Sequence, residues 1–302
     1  MGYHCRVSPT APDRLSVNKT YKLFIGGKFP RSESRRSIAV GCVGGPVHIA
    51  HASRKDLREA VEVARIAQGK WGSASGLNRG QVLYRLAEMT EGKRVELSES
   101  VAAHRAAGKV ASKAKRSPDT EVTAAIDRLV AYAGWADKYA QVLGCNNPVA
   151  GPFYNFTVPE PVGVVAVVAP DALPLLGLVA LMAPALCSGN TVVAFASGTN
   201  PVPAAVFAEA VATSDVPGGV VNILTGRRDE LLEQVASHGE IDAIHAGGLT
   251  VPENAVLRAG AGKNLKRVTV REGLGWARGQ DADPWTIEPF VEMKTMWHPS
   301  AT

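Results

Sequence analysis

Cysteine is scarce in this chain. Its 302 residues hold 4 cysteines, Cys5, Cys42, Cys145 and Cys187, and no two are spaced as a Cys-x-x-Cys pair. That excludes a disulfide-stapled scaffold and a zinc site of common spacing, and the thiols read as free in a reducing compartment. No metal ligand set is expected. Aromatic residues make up only 6% of the sequence, and no basic stripe carries interleaved aromatics, so no nucleic-acid partner is expected. The net charge of +5 reads as a solvated, mildly basic surface, though it also suits an anionic cofactor. No apolar run of spanning length is uninterrupted. The longest, 162–187, is broken by Pro170, Asp171, Pro174 and Pro184, which favours a buried strand followed by a buried helix over a membrane span. Residues 1–18 carry Arg6, Asp13 and Arg14 without an apolar segment. They show no secretory signal, and a cytoplasmic location is expected. Tandem repeats, low-complexity tracts and a Gly-x-Gly-x-x-Gly turn after a strand are also missing.

What remains is an ordinary globular composition, 46% hydrophobic and 20% charged, long enough for one large or two modest cores. Residues 1–18 read as a flexible leader. Tyr21–Phe29 reads as a hairpin around Gly26-Gly27. A helix starts after Ser53, an N-cap with Asp56 three residues on. It places Leu57, Ala60, Val61, Ala64 and Ala67 on one face, closed by Trp71. Further helices are expected over 79–94 (Val82, Leu83, Leu86 and Met89 inward), 95–108 and 122–142 (Ile126, Leu129, Val130 and Ala133 inward). The pattern then changes. Strands are expected over 153–158, 162–169, 191–195, 220–224 and 241–245, with helices over 174–187, 202–213 and 229–237. Strands alternating with helices predict an α/β fold with a doubly wound parallel sheet.

Such sheets bind ligands beyond the carboxyl ends of their strands. Those ends fall at Ala169-Pro170-Asp171-Ala172, Phe195-Ala196-Ser197-Gly198, Thr225-Gly226-Arg227-Arg228 and Ala246-Gly247-Gly248-Leu249. Gly247-Gly248 serves either as a phosphate turn or as a plain structural turn, with Pro252 in the first turn of the next helix. Arg227 and Arg228 read as a solvated pair, with phosphate attraction as the alternative.

Three stretches carry a more specific signal: Gly163-Val164-Val165-Ala166-Val167-Val168-Ala169-Pro170, Ala183-Pro184-Ala185-Leu186-Cys187-Ser188-Gly189-Asn190-Thr191-Val192-Val193, and Pro217-Gly218-Gly219-Val220-Val221-Asn222-Ile223-Leu224-Thr225-Gly226. In order and spacing they resemble landmarks of the aldehyde dehydrogenase superfamily. Phe24-Ile25-Gly26-Gly27, Arg79-Gly80, Gly108-Lys109 and Ala133-Gly134-Trp135-Ala136-Asp137-Lys138 add to the likeness. The resemblance covers about 20–275 and again 289–297. It implies a Rossmann-like NAD(P)-binding domain over 19–275, preceded by the helical segment and carrying a β arm at about 150–160. A short connection in place of most of the family's catalytic domain, and an oligomerisation strand, follow over 276–302, which implies a shortened and degenerate member. NAD or NADP is the implied cofactor, with Ala169, Pro170, Ser197, Gly226 and Gly248 at the family's cofactor positions. The arm implies a homo-oligomer, or a hetero-oligomer with an active aldehyde dehydrogenase, with two edge strands within a monomer as the alternative.

The family's chemistry needs a cysteine nucleophile, an oxyanion donor and a glutamate base. The oxyanion asparagine falls on Ala172, and the ribose-binding lysine and glutamate fall on Phe195 and Gly198. A phosphate-turn glycine falls on Arg228 and a helix-capping serine on Leu249. The glutamate position holds Arg271, with Glu272 one residue off. The cysteine has no counterpart: Gly279-Gln280-Asp281-Ala282 is similar to the family's Gly-Gln-x-Cys by chance, coming too soon and ending in alanine. No catalytic residue is therefore expected. The expected function is that of a non-catalytic, aldehyde dehydrogenase-like scaffold or partner of an active homologue. An NAD(P)-dependent oxidoreductase acting on aldehydes, and a nucleotide- or phosphate-binding module using Gly247, Gly248, Arg227 and Arg228, are the alternatives.

Overall fold

A computed structural model describes residues 19–42, 45–106, 117–273, 275–278 and 282–300. The leader, Cys5, Lys109 and the Gly279–Asp281 segment lie outside them. The chain opens with β1 (Thr20–Tyr21), β2 (Ser37–Cys42) and β3 (Gly45–Ala50). Five helices follow: α1 (Arg54–Gly72), α2 (Gly76–Gly92), α3 (Arg94–Ala106), α4 (Pro118–Trp135) and α5 (Tyr139–Leu143). Then come β4 (Cys145–Asn147), β5 (Phe153–Pro161), β6 (Val164–Val168), α6 (Leu176–Cys187), β7 (Thr191–Phe195), α7 (Val202–Thr213) and β8 (Val221–Leu224). A 3-10 turn, Arg228–Glu230, leads to α8 (Leu232–Ser237), β9 (Ala243–Gly247), α9 (Val251–Ala261), β10 (Arg267–Arg271), α10 (Gly275–Arg278) and β11 (Val291–Pro299).

The central sheet is parallel, with order β10-β9-β6-β7-β8. Its middle strand is buried on both sides because both faces of Val164–Val168 are apolar. Val165 and Val167 pack under α6 and α4. Val164, Ala166 and Val168 pack on the side of α1, α8 and α9. Two layers of helices thus enclose one sheet, the α/β doubly wound architecture that the alternating pattern predicts. Chain order reverses between β6 and β9, which sets the crevice at their carboxyl ends.

The start of α1 matches its sequence signal. Ser53 accepts from Asp56 N at 3.3 Å, while the Asp56 carboxylate accepts from Ser53 N at 2.7 Å. The same carboxylate, only 2% exposed, also accepts from Ser32 Oγ and Glu33 N, which ties the N-terminal turn to the helix.

Several expectations need correction. The Tyr21–Phe29 hairpin is reduced to a tight turn: Ile25 and Lys28 pair across Gly26 (φ 62°) and Gly27 (φ 77°), but β1 pairs in parallel with β3. The expected helix over 122–142 stops at Trp135, where Lys138 Nζ turns back onto the Gly134 carbonyl at 2.9 Å. Val130 is 40% exposed rather than inward, and Met89 is half-buried. Cys145 begins β4 and Cys42 ends β2. The helix over 229–237 breaks at Leu231 (φ −118°) into a 3-10 turn and α8.

The second sheet is antiparallel, with order β11-β5-β4. β11 pairs with β5 from Val291↔Pro161 to Pro299↔Phe153. Its root is fixed by Phe290, which is fully buried and whose carbonyl accepts from Asn190 Nδ2 at 2.9 Å. Beyond Val291 every β11 residue is exposed.

Candidate functional site

The strand ends at the crevice are held by one charged network. Asp171 follows β6 in the stretch that carries Ala169 and Pro170. Its Oδ1 accepts from Ser197 Oγ at 2.9 Å, Gly198 N at 2.8 Å and Thr199 N at 3.3 Å, so it caps the turn after β7. Ser197, 1% exposed, also accepts from Asn200 N at 3.0 Å. Arg228, just past β8, reaches back across the crevice. Its Nη2 donates to Asp171 Oδ2 at 3.2 Å, Nη1 to the Ala169 carbonyl at 3.1 Å and Nε to Glu253 Oε1 at 2.8 Å. The Arg228 side chain is 10% exposed, against 31% for Asp171 and 16% for Glu253. Arg228 is therefore not one of a solvated pair. Only Arg227 is, at 63% exposure, facing Asp229.

Glu253 closes the network at the start of α9. The helix is capped by Thr250 rather than at Leu249. Glu253 Oε2 accepts from Thr250 N at 2.7 Å and Thr250 Oγ1 at 2.8 Å in a capping box. A helix N-terminus attracts negative charge, and here the chain's own carboxylate supplies it. Burial raises the Glu253 pKa, but the Thr250 and Arg228 hydrogen bonds outweigh it and hold the carboxyl below its usual range. One cation lies between two carboxylates, so the mouth is net negative.

The sequence-expected positions separate into two groups. Ala169, Pro170, Ser197 and Gly248 surround the crevice. Gly248 (φ 62°) comes so close to Pro170 that a Cβ there would lie 2.8 Å from the proline Cβ, which closes the crevice floor. Gly226 belongs instead to the corner at which Thr225 Oγ1 donates to Ala50 O and Ala52 N to Thr225 O, at 2.7 and 2.9 Å. Phe195 is 3% exposed and packs in the core on the α1 side. Ala172 is half-buried and Gly198 exposed. Arg271, the last residue of β10, donates from Nε to His245 Nε2 at 3.1 Å, while Glu272 is exposed beyond the strand. His245 is fully buried, with Nδ1 at 2.8 Å from the Leu181 carbonyl and its ring 4.7 Å from that of Phe290. Burial first, and the Arg271 guanidinium second, push its pKa down to about 3.

A groove of about 470 Å³ runs between α8 and α9 beside this mouth. Leu232, Pro252 and Val256 give it an apolar lining, and Asp229, Glu233 and Lys263 line it as well. Sequence reasoning missed Glu253 and His245. The Thr250-x-x-Glu253 capping signal is readable; nothing local marks His245, whose partners lie on other elements.

The two cysteines with described side chains differ in environment. Cys187 is buried at the end of α6, and burial pushes its thiol up to about 12, opposed by the Arg79 guanidinium. Cys145 is exposed on β4. Brief iodoacetamide treatment of the native protein is expected to label Cys145 and spare Cys187. Peptide mass spectrometry before and after denaturation reads the difference. Equal labelling of both in the native state contradicts the burial of Cys187. No group of three His, Cys, Asp or Glu side chains placed to hold a metal occurs among the described residues. Nor is any described helix long and apolar enough to cross a membrane.

The family model for the aldehyde dehydrogenase family matches residues 46–274. The chain belongs to the aldehyde dehydrogenase family. It is 34% identical over 276 residues to retinal dehydrogenase 2 of Gallus gallus, covering 89% of this chain and 51% of the relative. It is 32% identical over 272 residues to cytosolic 10-formyltetrahydrofolate dehydrogenase of Mus musculus, covering 87% of this chain and 29% of that protein. Among solved structures, the NAD+ complex of aldehyde dehydrogenase from Bacillus cereus is similar with a TM-score of 0.75 at 26% identity, over 84% of this chain and 51% of that one. PnpE from Pseudomonas sp. WBC-3 is similar with a TM-score of 0.76 at 27% identity, again over 84% and 51%. The chain spans about half the length of the aldehyde dehydrogenases it matches, 51% of retinal dehydrogenase 2.

Proposed function

We propose that this aldehyde dehydrogenase-family chain is non-catalytic and acts through its β arm, pairing with a second copy or with an active aldehyde dehydrogenase. The observation that carries the reading is the Asp171–Arg228–Glu253 network. The backbone amides after β7 and the start of α9 are the groups that would receive a dinucleotide's negative charge. Each already has a carboxylate of the chain itself. Ser197 has its hydroxyl engaged by Asp171 and Asn200, and Phe195 in the family's lysine position has no donor. These residues do not fit NAD or NADP. Ala172, in place of the oxyanion asparagine, offers no side-chain donor, a loss of roughly 3 kcal/mol in transition-state stabilisation.

The arm is the surface left to act. Met293, Met296 and Trp297 on β11 are 44%, 43% and 61% exposed, and Phe153 and Tyr154 on β5 are 44% and 50% exposed. Edge strands with exposed apolar side chains pair readily with another chain. A division into an NAD(P)-domain-like unit over 19–275 and an oligomerisation segment over 276–302 accords with this reading, as does a cytoplasmic location.

Calorimetric titration with NAD+ and NADP+ up to about 1 mM, the upper end of usual KM values, is expected to give no heat, and a broad aldehyde panel no turnover. Light scattering is expected to give a mass above that of one chain, and Met293→Lys with Trp297→Lys to return it to the monomer. A monomeric wild-type chain that binds no active homologue overturns the pairing. A second reading rests on the groove between α8 and α9, whose apolar lining suits a flat heterocycle. Under it the chain is a nucleotide-binding module or an NAD(P)-linked oxidoreductase, with Arg228 swung from its carboxylates onto phosphate. A saturable NAD+ heat selects that reading over the first.

A further inference from the structure

A second concavity lies beside the first strands, with Ala50 in its wall joined to Thr225 at the end of β8. It has a volume of about 400 Å³ and is lined by residues that include Lys22, Arg31, Arg35, Arg36 and Ser37. It contains four cations and no carboxylate among its lining residues. Of the neighbouring acids, Asp56 is buried and spent on Ser32, Glu33 and Ser53, and Glu33 pairs with Lys55. Glu230 comes only to 3.9 Å of Arg36. Among the described residues Lys22, Arg31 and Arg35 form no ion pair.

Backbone hydrogen bonds bring together the segments that carry these four exposed cations. Leu23 N donates to Pro30 O at 3.2 Å, which sets Lys22 and Arg31 on adjoining segments. Arg35 N donates to Ser32 O at 2.8 Å, and His51 N to Arg36 O at 3.0 Å. Ser32 is anchored in turn by Asp56. Arg35 itself has φ 56°, a left-handed backbone that a long side chain rarely adopts. Strain of this kind persists where surrounding structure enforces it, and it collects at functional sites.

We infer that this cavity binds a small polyphosphate anion, the di- or triphosphate group of a phosphorylated metabolite or free polyphosphate. Like charges gathered without carboxylates raise the local potential and cost stability until an anion arrives. Guanidinium forks match phosphate oxygens two at a time, and a lysine adds a point charge. The volume falls in the range of small-ligand sites, near 300–1,000 Å³. The chain's own leader is a poor occupant, since residues 1–18 carry Arg6 and Arg14 against the single acid Asp13. The inference is independent of the reading of the strand-end crevice.

The test is calorimetric titration of the full chain with sodium tripolyphosphate at roughly 0.15 M salt, where surface charges are screened beyond about 8 Å. One-site binding is expected. Arg31→Ala with Arg35→Gly should weaken it at least about tenfold; glycine also relieves the left-handed backbone, so the variant keeps its fold. Lys28→Ala with Lys70→Ala removes the same charge outside the cavity, from two exposed side chains, and should change affinity less than about twofold. Adenosine triphosphate and free tripolyphosphate as separate titrants distinguish the two sources of the anion. Absence of heat at millimolar tripolyphosphate, equal weakening in both double variants, or loss on Arg228→Ala with the cavity variant unaffected each overturns the inference.

Discussion

Arg228→Ala is expected to destabilise the protein by about 3 kcal/mol near neutral pH. Removing one partner from a buried charge pair costs roughly 3–5 kcal/mol because the other charge is left uncompensated. Here two carboxylates are left, one of them 16% exposed, while the other keeps 31% of its surface accessible and is partly rescued by water. That places the effect at the lower end. The cost depends on pH in a definite direction. Glu253 has a folded-state pKa below its usual value, so its contribution is present above the ordinary carboxylate range and is lost as pH falls through the folded pKa. Without Arg228 that pKa rises, and the loss begins at higher pH. Urea unfolding of wild type, Arg228→Ala and Arg228→Ala with Glu253→Gln at pH 7 and pH 4 reads both features. The Glu253→Gln change should recover part of the loss at pH 7 and little at pH 4. A penalty below about 1 kcal/mol at pH 7, the value of a surface pair, contradicts the network.

Acidification is expected to unfold the protein through His245. Its ring is neutral in the fold, with a pKa near 3 against 6.5 ordinarily. Below the unfolded value the denatured chain takes up a proton that the native chain refuses. Stability therefore falls by roughly 1.4 kcal/mol per pH unit as pH drops from about 6.5 toward the folded value. His245→Gln removes the titration while leaving an acceptor for Arg271. Between pH 6.5 and pH 5 the wild type should lose about 2 kcal/mol more than this variant. The slope is the readout, so a uniform cost of the substitution does not obscure it. Equal slopes would falsify the neutral, buried ring.

Elements that depend on local pattern are legible in the sequence. The β-branched run over 191–195 and the alanine-rich run over 202–213 match β7 and α7 residue for residue, because an apolar run with turn signals at each end leaves little choice. Ser53 and Asp56 announce α1 for the same reason. Val130 is misplaced by the pattern since an apolar period continues past the arc that α4 buries, and only the neighbouring helices determine where that arc ends. The crevice is harder to read. Asp171, Arg228 and Glu253 are 57 and 25 positions apart in the two ion pairs, and no local rule joins them. Arg227-Arg228 looks like one solvated unit, yet the chain bends so that one guanidinium faces water and its neighbour faces the crevice. Leu249 looks like a lost cap, whereas the cap has moved one residue on to Thr250.

The strand order has a consequence for how the protein is made. β6 leaves the ribosome first among the strands of the parallel sheet and ends in its middle, with β7 and β8 added on one side and β9 and β10 on the other. The β7 side is closed within one helical crossover. The opposite edge, made of Val164, Val165, Val167 and Val168 with alanine between, waits until residues 243–247 have been synthesised. At about 5–20 residues per second, that edge stays unpaired for several seconds on each nascent chain. The half-built sheet is then a template for another strand, and chaperone cover during translation matters most in that interval.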